Sequence, residues 1–132
     1  MKLIELNKIQ DPRGNLTFIE NQNQIPFSIE RIHWIYNVPS GYERSGHAFK
    51  STSEFMIALS GSFDLIIKKE DKVSSYTLSR PNFGILLPPL TWTELINFSS
   101  NSVVLVLASQ VYLSEDYLRD FNNYNKLITT FK

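Results

Sequence analysis

Gly41-Tyr42-Glu43-Arg44-Ser45-Gly46-His47-Ala48-Phe49-Lys50-Ser51-Thr52-Ser53-Glu54, running on to Gly61, is the stretch whose reading decides the fold. An extended chain sets alternate residues on one face, so His47 and Phe49 stand side by side. Upstream, the apolar run at residues 32–37 stops at Val38-Pro39-Ser40-Gly41, a turn cluster whose Pro and Gly punctuate the backbone. Downstream, Phe55-Met56-Ile57-Ala58-Leu59 meets Ser60-Gly61-Ser62, and an extended pattern resumes over residues 63–68. That pattern predicts a hairpin.

Further along, residues 69–75 are charged and polar and read as an exposed turn before Tyr76-Thr77-Leu78; Asp71 and Lys72 there are solvated. Residues 83–87 are apolar, Pro88-Pro89 interrupts them, and residues 91–96 offer another strand. Val103-Val104-Leu105-Val106-Leu107 has the continuous apolar character of a strand buried on both faces. Ser114 is a good N-cap, and Glu115 and Asp116 suit the positive end of a helix dipole. Tyr117, Leu118, Phe121, Tyr124 and Ile128 then recur at helical spacing. A C-terminal helix is expected over about residues 115–125. Many short strands with turn signals and one terminal helix predict an all-β antiparallel sandwich or small barrel, with residues 1–132 forming one domain.

Composition narrows the function. The 132 residues are 42% hydrophobic and 20% charged, enough to bury a core. Thirteen Lys and Arg balance thirteen Asp and Glu. Such a balance argues against a global grip on nucleic acid or an anionic membrane, and leaves room for a local basic pocket. The chain has no cysteine, which excludes disulfides, thiolate nucleophiles and thiolate metal sites. Met1-Lys2-Leu3-Ile4-Glu5 turns polar too soon for a signal peptide. No window approaches the roughly 20 apolar residues of a spanning helix, so a soluble, cytoplasmic protein is expected.

The spacing of Gly41, His47, Glu54 and Gly61 resembles the first motif of the cupin superfamily, with Phe49 at its second histidine position. Gly84-Ile85-Leu86-Leu87-Pro88 with Trp92-Thr93-Glu94 resembles the second motif, with Thr93 where a histidine is expected. A metal-binding cupin offers three imidazoles and a carboxylate, and two of those four are replaced here. His33 is the only other histidine. A transition metal needs three or four well-placed donors, so no metal is expected.

Within the cupins, a narrower resemblance runs from about residue 3 to about residue 128. Asp11-Pro12-Arg13-Gly14-Asn15-Leu16, Ile25-Pro26-Phe27-Ser28-Ile29 with Arg31, Arg44 with His47-Ala48-Phe49-Lys50, Trp92 with Glu94, and Val106-Leu107-Ala108-Ser109 are similar to the WxcM-like dTDP-4-keto-6-deoxyglucose 3,4-ketoisomerases. The resemblance implies a metal-free, cofactor-free cupin jelly roll with a C-terminal helix. It also implies a homodimer with exchanged N-terminal strands and a dTDP-linked keto sugar as substrate. The family moves a ketone from C4 to C3 by proton abstraction and an enediol, for deoxyamino sugars of surface glycans such as O-antigen. Its two motif histidines carry the protons; this chain keeps His47 and has Phe49 in place of the other.

Under that resemblance His47 is the catalytic candidate, with Tyr36 as helper and with Glu54 and Glu94 as further local polar groups. The substrate-binding candidates are Arg13, Arg44, Lys50, Phe49, Trp92 and Glu94. Each has a plainer reading beside it. His47 can be a satisfied core histidine, Arg13 a turn anchor, and Arg44 and Lys50 solvated charges. Trp34, Tyr36 and Trp92 pack in a core unless one of them stacks on thymine. His33 reads as structural. Loss of histidine at Phe49 and Thr93 also leaves open a non-catalytic binding subunit paired with an active paralogue. A 3,5-epimerase-like enzyme, which shares the Asp-x-Arg-Gly opening, is the third reading.

Overall fold

The computed structural model describes residues 1–130, and its strands form two antiparallel five-stranded sheets. The first contains β1 (Lys2–Glu5), β7 (Phe83–Leu87), β4 (Glu54–Ser60), β9 (Val103–Ala108) and β2 (Arg31–Tyr36), side by side in that order. The second contains β10 (Tyr117–Leu118), β3 (Arg44–Phe49), β8 (Trp92–Ile96), β5 (Phe63–Lys69) and β6 (Lys72–Leu78). Their inner faces meet as an all-β jelly roll, with α1 (Phe121–Thr130) outside the second sheet.

Register decides which side chains point inward. Opposed residues of an antiparallel pair share a face. Arg31, Ala108, Glu54 and Leu87 lie in one row across β2, β9, β4 and β7. His33, Val106, Met56 and Ile85 form the next, followed by Ile35 and Val104. With Phe63, Leu65, Ile67 and Leu95 from the facing sheet, the apolar members of these rows pack into the main core. The outer face of the first sheet is covered over β4 and β9 by Leu6, Ile25 and neighbours from residues 6–29. That cover does not extend to the outer face of β2, where Ile32, Trp34 and Tyr36 are exposed.

Two expectations are corrected here. Phe55–Leu59 and residues 63–68 do not form a hairpin, because β4 pairs with β7 and β9 while β5 pairs with β6 and β8. Gly61 instead turns a corner between the sheets at φ +67, and a Cβ there would clash with Ser99 Oγ. The true hairpin joins β5 to β6, with Lys69 opposite Lys72 and Glu70 at φ +57. Residues 72–75, read as turn, therefore belong to a strand.

The C-terminal helix starts later than expected. Ser114–Asp116 makes a single 3-10 turn, and Asp116 turns its carboxylate back to the β3–β4 connection. It accepts from the Ser51 N–H at 2.9 Å, from Ser51 Oγ at 2.8 Å and from Thr52 Oγ1. That anchor lays Tyr117 opposite Phe49 and Leu118 opposite Ala48 as β10. Asp120 is the real N-cap, accepting from the N–H groups of Asn122 at 2.8 Å and Asn123 at 3.2 Å. Tyr124 and Ile128 then bury against Ala48 and Trp92. β1 pairs with β7 of its own chain. No helix among the described residues is long and apolar enough to cross a membrane.

Candidate active site

A cavity of about 530 Å³ opens at one end of the barrel between the two sheets. Its walls follow from strand parity. β2 contributes Arg31 and His33, β4 contributes Glu54 and Met56, and β8 contributes Thr93 and Leu95. β3 contributes Arg44, His47 and Phe49, and the stretch before α1 adds Tyr112, Tyr117 and Arg119. His47 is aimed by a break in register between Arg44 and His47, where Gly46 sits at φ +70. A Cβ at Gly46 would come within 2.7 Å of the Trp92 ring, so glycine serves both the bulge and the packing beneath it.

His47 sits among rings. Phe49 meets it edge-on at 4.9 Å between centroids, and Tyr117 lies tilted at 5.5 Å. Tyr117 also meets Phe49 at 4.6 Å and carries the Arg119 guanidinium 4.2 Å over its face. Burial is the main cause that pushes the His47 imidazole down to about 4, and nearby cations, Arg119 first, add to it. The ring is therefore neutral at physiological pH and able to accept a proton. His33 is lowered for the same reasons, burial first and then Arg31 and Arg44. Glu54 is displaced the other way: burial raises its carboxyl to about 7, against the pull of the Arg31 cation. Arg31 Nε is buried without a hydrogen-bond partner among the described residues. Arg31, Arg44 and Arg119 place three guanidiniums on the cavity wall, which Glu43 also lines. Among the described residues there is no group of three or more His, Cys, Asp or Glu that could hold a metal ion.

Of the residues singled out in the sequence, His47, Phe49, Arg44 and Glu54 come together in this cavity. Five of the catalytic and binding candidates do not line it. Tyr36 is on the outer face of β2, since Arg31, His33 and Ile35 take the inner one. Trp92 and Glu94 have the opposite parity to Thr93 and face α1. Trp92 packs against Phe121 at 5.2 Å and Tyr124 at 5.6 Å. Its Nε1–H donates to Glu94 at 3.0 Å, and Glu94 pairs with Lys68 at 3.0 Å. Lys50 is exposed, with its N–H donating to the Asp116 carbonyl at 2.9 Å. Arg13 anchors its own turn, where its backbone N–H and its Nε–H both donate to Asp11 Oδ1, at 2.8 and 2.9 Å. His33, read as structural, lies on the cavity wall. Arg31, Tyr112, Tyr117 and Arg119 were not singled out for the site at all. For Arg31 and His33 the signal was available: they alternate with Trp34 on one strand, so burying one set exposes the other.

A family model described as FdtA: WxcM-like, C-terminal matches residues 1–129. The chain belongs to this family. Among curated proteins it is similar to the TDP-4-oxo-6-deoxy-alpha-D-glucose-3,4-oxoisomerase of Aneurinibacillus thermoaerophilus. The two are 37% identical over 127 residues, 96% of this chain and 91% of that protein. Among solved structures it resembles a histidine-to-asparagine variant of the 3,4-ketoisomerase QdtA from Thermoanaerobacterium thermosaccharolyticum, in complex with TDP-4-keto-6-deoxyglucose. The TM-score is 0.96 at 33% identity, covering 98% of this chain and 94% of that one. A 3,4-ketoisomerase from Helicobacter canadensis gives a TM-score of 0.94 at 33% identity, covering 97% and 96%. These WxcM-like relatives are named for 3,4-ketoisomerisation; they favour neither a 3,5-epimerase nor a non-catalytic subunit.

Proposed function

We propose that this chain is a 3,4-ketoisomerase of a TDP-linked 4-keto-6-deoxyhexose, with His47 as its base. One observation carries the reading: a neutral, half-buried imidazole stands in a cavity whose wall bears three guanidiniums. The chemistry requires both features. A proton on C3 is acidified by the neighbouring C4 carbonyl, and a base within hydrogen-bond reach must accept it. An imidazolium could not; the depressed His47 supplies the free base at neutral pH. The diphosphate needs charged donors, and guanidiniums bind phosphate oxygens bidentately. Arg31, Arg44 and Arg119 fill that role in place of Arg13 and Lys50, which do not line the cavity. Tyr112 and Tyr117 offer flat faces on the same wall. No metal and no organic cofactor enters this proposal.

We assign the working unit as a homodimer. The support is the exposed apolar set Ile32, Trp34 and Tyr36 on an edge strand, a surface that a second copy would cover. Exchange of the N-terminal strands would transfer the four β1–β7 pairs from one chain to its partner in the same register. Light scattering at micromolar concentration gives twice the chain mass under this assignment and the chain mass against it. The reaction itself is tested by incubating the protein with TDP-4-keto-6-deoxyglucose and following the carbonyl by NMR. The ketone moves to C3; a sugar that keeps its C4 ketone rejects the reading.

A further inference from the structure

Two carboxyls line the cavity among the described residues, Glu43 and Glu54, and they differ completely. Glu43 is exposed at the rim, whereas Glu54 is buried, in the row of Arg31, Ala108 and Leu87. No hydrogen bond or ion pair reaches the Glu54 side chain from the described residues; Arg31 acts on it through space. A buried carboxyl without partners is expensive, and apolar neighbours such as Leu87 and Ala108 show what the row would otherwise hold. Such a group is a functional-site candidate on physical grounds.

The reaction supplies a need for it. Moving a ketone between adjacent carbons relocates protons on two carbons and two oxygens, and His47 is a single base. Phe49, beside it, cannot carry a proton. The other titratable and charged groups that face the cavity are Arg31 and His33 from β2, Arg44 from β3, Tyr112 and Arg119 from the segments flanking β10, and Tyr117 from β10.

On the ketoisomerase reading above, we propose that Glu54 is the second proton carrier, serving the two oxygens while His47 serves the two carbons. In the forward step the neutral imidazole takes the proton from C3. The C3–H electron pair becomes the C3–C4 double bond, and the carbonyl π pair moves to O4, which takes the proton of the Glu54 carboxylic acid. The resulting enediol then collapses the other way. The Glu54 carboxylate takes the proton from the C3 hydroxyl, the C3 carbonyl forms, and the double-bond pair takes the proton of the imidazolium at C4. Substrate and product are isomers, and both side chains return to their starting forms. With a carboxyl held near 7 and an imidazole near 4, the required pairing of acid Glu54 and free-base His47 coexists below neutrality.

The test is kcat/KM against pH, on TDP-4-keto-6-deoxyglucose, for the wild type, Glu54→Gln, His33→Gln and the double variant Glu54→Gln, Phe49→His, with TDP affinity measured for each by calorimetry. The wild type loses activity above about pH 7 as Glu54 ionises. Glu54→Gln loses about 10²–10⁴-fold in kcat/KM and loses that alkaline limb, while TDP affinity holds. Phe49→His returns part of the rate by adding an imidazole beside His47. A Glu54→Gln variant that keeps the wild-type rate and limb overturns the proposal, as does a limb that disappears in His33→Gln instead. A fall in TDP affinity that accounts for the whole loss of kcat/KM also overturns it, since Glu54 would then be structural. A wild type that turns over no sugar rejects the ketoisomerase reading itself, and this proposal with it.

Discussion

The two ends of the barrel interior are built from the same strands and do opposite work. On β2 the inward side chains run from Ile35 through His33 to Arg31, and on β4 from Met56 to Glu54. On β8 they run from Leu95 to Thr93. At the closed end Phe63, Leu65 and Val104 are almost wholly buried in the main apolar cluster. At the open end the same rows carry two imidazoles, a carboxyl and guanidiniums. Burial is nearly complete at one end, while the other end holds the titratable groups that burial displaces from their ordinary values.

Leu65→Ala, at the closed end, gives the largest expected effect. It should lower unfolding stability by about 2–5 kcal/mol, read as a shift in urea midpoint, while activity per folded molecule stays near wild type. A variant that folds as well as wild type but loses turnover would erase the distinction between the ends.

Glu54→Gln acts in the opposite sense on stability. A raised carboxyl pKa means the folded chain holds its proton more tightly than the unfolded one. Stability therefore falls as pH rises from about 4.5 to about 7. His47, being depressed, contributes a loss as pH falls from 6.5 towards about 4. Replacing Glu54 should therefore raise stability at pH 8 by up to about 3 kcal/mol relative to its effect at pH 4.5. Thermal melts at the two pH values check this; equal shifts would mean that Glu54 is not held near 7.

Arg119→Ala should weaken TDP binding by about 1.5–3 kcal/mol for each charged hydrogen bond lost, with little change in melting temperature. Arg13→Ala, at the exposed turn, should change TDP affinity far less; equal losses would put the diphosphate elsewhere. The smallest effect belongs outside the barrel. Lys68→Ala breaks a partly exposed ion pair with Glu94 and should cost at most about 1 kcal/mol, with kcat unchanged.

Much of this architecture was legible in the chain, and the misreadings have physical causes. β7 matched its apolar run because Pro88-Pro89 ends it sharply. β4 and β5 were read as a hairpin because a corner between sheets uses the same Ser-Gly-Ser chemistry as a tight turn; only long-range pairing separates them. In β2 the more apolar parity, Ile32, Trp34 and Tyr36, faces outward, so the rule that apolar side chains face the core hid Arg31 and His33. For Trp92 and Glu94 the alternation was sufficient: once Thr93 takes the inward position opposite His47, its neighbours face away. The segment with Tyr112, Tyr117 and Arg119 was harder. Its acidic start and periodic aromatics suit a helix, and only the recruitment of Asp116 by Ser51 and Thr52 turns it into a strand at the cavity wall.

The central claim is that the neutral imidazole at the open end moves the carbon-bound proton. Its most direct test is the rate at which His47→Asn isomerises TDP-4-keto-6-deoxyglucose at pH 7, set against wild type with TDP affinity measured on both. The account predicts a loss of about 10²–10⁴-fold in kcat with TDP affinity retained. A His47→Asn variant that turns over at the wild-type rate would contradict it.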